Sequence, residues 1–119
     1  MGRRSTGLTP FDPRAVSEYQ RCIALNGAAH GMCEDYRAAA QIDLEHDRLD
    51  RKEGHILQMP LLVLWGEEGV VHSCFRPLDE WSTVAEQVEG VALPCGHYIA
   101  EEAPELLLDH ALSFLFKPL

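Results

Sequence analysis

His97 is the residue of this chain best placed to do chemistry. It follows the apolar run Val91-Ala92-Leu93, a stop at Pro94 and the small pair Cys95-Gly96, and it precedes a helix opened by Pro104. If the apolar run is a strand, His97 lies at its carboxyl end, where open α/β sheets collect their ligand sites. An imidazole there titrates near neutral pH and can take a proton from water as a general base. The same pattern also fits a loop histidine bonded to nearby backbone, or to Glu101 or Glu102. Glu67 and Glu68 occupy the loop where triad enzymes often carry the acid that orients the histidine. The usual place for an aspartate, about three residues after the strand-ending glycine, is Gly69 here, so these glutamates read better as surface carboxylates. Tyr36 can offer a phenol to a pocket, although an aromatic on an apolar helix face is ordinarily core.

The remaining candidates are weaker. His30, His46, His55, His72 and His110 show no metal-ligand spacing, no H-E-x-x-H and no cysteine at short range, so no metal site is expected. The four cysteines, Cys22, Cys33, Cys74 and Cys95, form no C-x-x-C pair and do not look like a disulfide framework. They fit reduced thiols in the cytoplasm. No G-x-S-x-G elbow or other glycine-flanked nucleophile is present, and no G-x-G-x-x-G or P-loop supports a nucleotide cofactor. No cofactor is expected. A base without a nucleophile is half a mechanism.

The elements that must position these residues change character along the chain. The first ten residues read as a tail. Met1-Gly2-Arg3-Arg4-Ser5-Thr6 fits the loose N-myristoylation pattern, which is too short to carry weight, and no apolar stretch follows it as in a signal peptide. Asp12-Pro13 reads as an N-cap with proline in the first turn, and Val16, Tyr19 and Ile23 recur at helical spacing up to about Leu25. Asn26-Gly27 ends that helix. A second helix is expected from about Ala28 through Tyr36 and Ala40 toward Leu49, its charged later part closed by Gly54. Pro60-Leu61-Leu62-Val63-Leu64-Trp65 then reads as a parallel strand buried on both faces and ended by Gly66. A polar loop, a helix from about Pro77 to Gln87, the strand Val91-Ala92-Leu93 and a last helix from Pro104 complete the order. One β-α-β unit gives two parallel strands. Two strands, each apolar on both faces, make the end of a larger sheet rather than a finished one.

Composition bounds the rest. The chain has 119 residues, 46% hydrophobic and 24% charged, which is a globular balance and one domain at most by length. Ten Lys+Arg against 19 Asp+Glu give a net charge of −9, unsuited to a nucleic-acid backbone or an anionic membrane surface. No apolar run approaches the roughly 18–20 residues that span a bilayer. Neither nucleic acid nor membrane is an expected partner.

Several stretches resemble the haloacetate (fluoroacetate) dehalogenases of the α/β-hydrolase fold. They are Phe11-Asp12-Pro13, Glu18-Tyr19, Cys33-Glu34-Asp35-Tyr36-Arg37-Ala38, Ile42-Asp43-Leu44-Glu45-His46-Asp47, Pro60-Leu61-Leu62-Val63-Leu64-Trp65-Gly66 and the run from Leu93 to Pro104. The strand and the Gly-His turn are common to many α/β-hydrolases. Cys-Glu-Asp-Tyr-Arg-Ala is narrower and selects within them. The resemblance implies a partial α/β-hydrolase fold: residues 1–10 a tail, 11–54 the C-terminal helices of the cap, and 55–119 the last β-α-β-α of the core. It further implies that His97 is the base and that Tyr36 helps hold the departing halide, in a reaction where an aspartate displaces halide and the resulting ester is hydrolysed. The nucleophile, the arginines that hold the substrate carboxylate and the triad acid match nothing in this sequence. On this reading the chain alone is inactive. A small haloacid is its substrate only when the missing half is supplied, and its open strand edge favours self-association. Two alternatives stand beside it: a non-catalytic interaction module of the same partial fold, and a piece of another α/β-hydrolase such as an epoxide hydrolase.

Overall fold

In the computed structural model, which describes residues 7–117, contacts divide the chain into two units. One is Phe11–His55; the other is Ile56–Leu119 together with the segment before Phe11. Residues 1–6, with the expected myristoylation pattern and most of the expected tail, lie outside the described residues. Residues 7–10 form turns.

The Phe11–His55 unit is helical. Asp12 caps α1 (Pro13–Ile23): its carboxylate accepts the Arg14 backbone N–H at 2.7 Å, and Pro13 occupies the first turn, where no N–H is needed. The Arg14 guanidinium lies 3.0 and 3.1 Å from the same carboxylate and holds the Asp12 carboxyl below its ordinary range. Gly27, at φ +83°, turns the chain into α2 (Ala28–Ala39). The expectation of one helix from Ala28 to Leu49 is corrected here. The helix breaks at Ala40 and Gln41, and α3 (Ile42–Glu53) starts afresh. No glycine or proline marks the break, but the charges do. Arg37 sits in the last turn of α2, and Asp43 and Glu45 sit in the first turn of α3, each opposite in sign to its helix end. The break lets α3 pack against α2, which also meets α1. Gly54 closes α3 at φ +73°, as the sequence predicts.

The second unit is built on a parallel pair. Strand β1 (Leu61–Gly66) and strand β2 (Val88–Leu93) run parallel, in a register from Leu61↔Val88 to Gly66↔Leu93. Between them lie two short helices, α4 (Val70–Cys74) and α5 (Pro77–Trp81). After β2 come α6 (Ile99–Glu102) and α7 (Pro104–Leu115). Three expectations need correction. The polar loop after β1 contains α4. The helix expected to reach Gln87 stops at Trp81, where the Ser82 and Thr83 hydroxyls donate back to the carbonyls of Leu78 and Glu80. The second strand begins three residues early, at Val88, despite Glu89 and Gly90, two poor strand formers. Pairing explains it: Leu57 already bridges Ala85, so the chain enters β2 in register, and a Cβ at Gly90 would run into the Val63 backbone carbonyl.

Nor are the strands buried on both faces. Residues 61–65 are half-buried, and Ala85, Leu93 and Cys95 are the buried hydrophobic residues among those described. A pair of strands has neighbours on one edge each. Helices α4, α5 and α7 pack against β1, and α5 also against β2.

Candidate active site

The carboxyl ends of β1 and β2 meet at two glycines. Gly66, the last residue of β1, lies so close to Gly96 that a Cβ on it would overlap the Gly96 carbonyl oxygen. The chain leaving β1 is then tied to the chain leaving β2. The Glu67 N–H donates to the Leu93 carbonyl at 2.9 Å and the Glu68 N–H to the Cys95 carbonyl at 3.1 Å. These bonds set the place of the turn Cys95-Gly96-His97-Tyr98.

His97 is exposed at the carboxyl end of the pair, as the sequence predicts. Its ring stands edge-on to the Tyr98 ring, with centroids 5.2 Å apart and planes at 77°. It lines a cleft of about 210 Å³ together with Trp65, Gly66, Trp81, Gly96 and Ile99. Among the described residues no carboxylate is hydrogen-bonded to the His97 ring. The alternative of a histidine bonded to Glu102 is therefore corrected: that carboxylate bonds the backbone of the turn instead, accepting from the N–H groups of Gly96 and Tyr98. Glu102 is the contributor that the sequence reading missed in this role. Its only signal was an acidic residue five positions beyond the histidine.

The other candidates are placed as follows. Glu67 and Glu68 are exposed at the end of β1, and their charges act on Cys95 rather than orienting His97. Cys95 is 5% exposed, and burial pushes its thiol up, helped by the carboxylates of Glu102, Glu68 and Glu67. Gly69 precedes α4 and supplies no side chain where an acid would stand. Tyr36 is on α2 in the Phe11–His55 unit and is 78% exposed, so it is not a core aromatic of this chain. His72 accepts the Trp65 indole N–H at its Nδ1, 3.1 Å away. Asp50, Glu53 and His55 come together at the exposed end of α3, an arrangement that spacing rules did not pick out. His55 Nδ1 lies 3.2 Å from Asp50 and Nε2 3.6 Å from Glu53, an exposed polar cluster at a helix end. No helix among the described residues is long and apolar enough to cross a membrane.

The parallel pair, the glycine-lined junction and the histidine turn belong to a known architecture. The chain superimposes with a TM-score of 0.87 and 45% identity on a protein from Nostoc sp. PCC 7120 assigned to the α/β-hydrolases, over 94% of this chain and 38% of that one. The fold is thus a partial α/β-hydrolase fold. Within that class the chain resembles the C-terminal part of haloacetate dehalogenase-like hydrolases. It is 36% identical to a fluoroacetate dehalogenase of Burkholderia sp. over 104 residues, 87% of this chain and 34% of the relative. It is 34% identical to a soluble epoxide hydrolase of Corynebacterium sp. (strain C12) over 110 residues, 92% of this chain and 36% of the relative. The chain thus spans about a third of the length of the curated relatives it matches. No protein-family profile matches it.

Proposed function

We propose that this chain supplies the general base of a hydrolase that cleaves a carbon–halogen bond in a small haloacid through a covalent ester. The observation that carries the reading is His97, exposed on the cleft at the carboxyl end of β2, its ring bonded to no carboxylate among the described residues. An imidazole so placed accepts a proton from water while the water oxygen attacks the ester carbonyl. The tetrahedral intermediate collapses with cleavage of the ester C–O bond, the imidazolium returns its proton to the departing alkoxide to release the hydroxyacid, and the regenerated aspartic acid loses its proton to solvent. The ester itself forms earlier, when an aspartate oxygen attacks the carbon and the halide departs with the bonding pair. That aspartate is not in this chain: Asp35, Asp43 and Asp47 stand on exposed helices, without a strand-to-helix elbow. Residues 11–54 are the helices of the cap on this reading, and Tyr36 offers its hydroxyl to the leaving halide.

Complementation tests the proposal. The 119-residue chain alone is expected to release no halide from fluoroacetate above the uncatalysed rate. Supplied with the N-terminal half of a related dehalogenase, it is expected to turn over. His97→Ala should then release one equivalent of halide and stall, with the ester visible as added mass on the nucleophile. Sustained turnover by the alanine variant would remove His97 from the mechanism. The likeness to a soluble epoxide hydrolase favours a second reading, in which the same base serves an epoxide ester and Tyr36 donates a proton to the opening ring. Diol formation in place of fluoride release would select it. An isolated gene with its own promoter and no hydrolase half upstream would instead favour a non-catalytic interaction module.

A further inference from the structure

The two backbone amides that bracket His97 end on one carboxylate. Glu102 accepts the Gly96 N–H at 2.6 Å through one oxygen and the Tyr98 N–H at 3.1 Å through the other. Such carboxylate bonds are shorter and stronger than bonds between neutral groups. A Cβ at position 96 would stand 2.8 Å from both carboxylate oxygens, so a larger residue there would push the Glu102 side chain out of this place. The approach also needs the chain to turn back at once. Helix α6 does that in a single turn: the N–H groups of Glu101 and Glu102 both return to the Tyr98 carbonyl at 2.9 Å, and that of Ala103 to Ile99 at 2.8 Å. His97 is thus the one residue between two fixed amides, and its ring is left to the cleft and the edge of Tyr98.

We propose that Glu102 is a positioning residue. It touches no substrate; it fixes the backbone on both sides of His97 and so sets the direction in which the imidazole points. The proposal deepens the reading of His97 as the base and rests on it. Glutamine at this position keeps one acceptor oxygen and turns an N–H₂ group toward the second amide, so it can hold one bond and not two.

The test is amide hydrogen exchange at single-residue resolution in the 119-residue chain. Glu102→Ala is expected to speed exchange at Gly96 and Tyr98 together by about tenfold, the value of a bond to a charged acceptor. Glu102→Gln is expected to speed only one of the two, while the Glu101 and Ala103 amides keep their wild-type rates. Equal protection of Gly96 and Tyr98 in wild type and both variants would overturn the proposal. So would a general rise through α6, or loss of the folded circular dichroism spectrum in the glutamine variant, since either makes Glu102 a support of the fold at large. In the complemented enzyme, Glu102→Gln should lower sustained turnover by about tenfold and leave the first-turnover release of halide unchanged. An equal loss in both phases would also count against it. Failure of the hydrolase reading shows elsewhere, as a His97→Ala variant that traps no ester while the exchange pattern stands.

Discussion

A carboxylate, a thiol and an imidazole share the turn after β2, and each is set by a different neighbour. Glu102 is spent on backbone amides, His97 faces the cleft, and Cys95 is buried below them with three carboxylates acting on it. The Cys95 thiol is therefore the least reactive of the four cysteines. Near about pH 8, under the ordinary thiol value, a thiol reagent should modify the exposed Cys33 and Cys74 and spare Cys95 until denaturant is added, as read by peptide mass mapping. The same shift has a sign in stability. A thiol whose pKa is raised in the fold contributes fully below its unfolded value, ordinarily 9.0, and that contribution is lost as pH climbs through the folded value. Urea midpoints should fall more steeply with pH above about 9.0, the unfolded value, in the wild type than in Cys95→Ala.

The elements of the second unit depend on close backbone approach more than on side-chain bulk. Gly90 faces Val63 across the strand pair with no room for a Cβ, whereas Gly31, inside α2, has open space around it. The same substitution should then act with opposite signs. Gly90→Ala is expected to destabilise by about 1–3 kcal/mol through forced displacement of β1. Gly31→Ala is expected to stabilise by about 0.5–1 kcal/mol, because alanine is the better helix former. Thermal melts of the two variants check both signs. A neutral Gly90→Ala would mean that the two strands are not held in the register found here.

At the scale of the whole molecule the chain has more apolar surface than its own core uses. Ala85, Leu93 and Cys95 are the buried hydrophobic residues among those described, while Leu115 is 70% and Phe116 80% exposed. The sheet has two strands, so each has an outer edge without a partner strand among the described residues. Exposed apolar area and open edges of this kind drive association. The purified chain should elute from gel filtration ahead of a 119-residue monomer. A sharp monomer peak with a cooperative melt would show a self-sufficient domain. Addition of a complementary hydrolase half should suppress the association, because the same edge would then be paired.

Much of this was legible in the order of residues. The N-cap at Asp12, the stop at Gly54, the strand ending at Gly66, the parallel pairing and the exposed place of His97 all follow from local signals. Those signals are a capping side chain, a glycine free to adopt positive φ, an apolar run between proline and glycine, and the β-α-β order. Tertiary contact decided the rest. Ala40 and Gln41 carry no breaker, and the helix divides there where α3 packs against α2. Glu89 and Gly90 are poor strand formers, yet they extend because Leu57 and Val63 pair with the chain around them. Glu102 became a support for His97 only when a turn of helix brought its carboxylate back to two amides. Periodicity and propensity report which face a residue prefers and where a segment can start or stop. Register, close approach and a carboxylate reaching across a turn are bonds between separated residues, and these form only once the chain has folded.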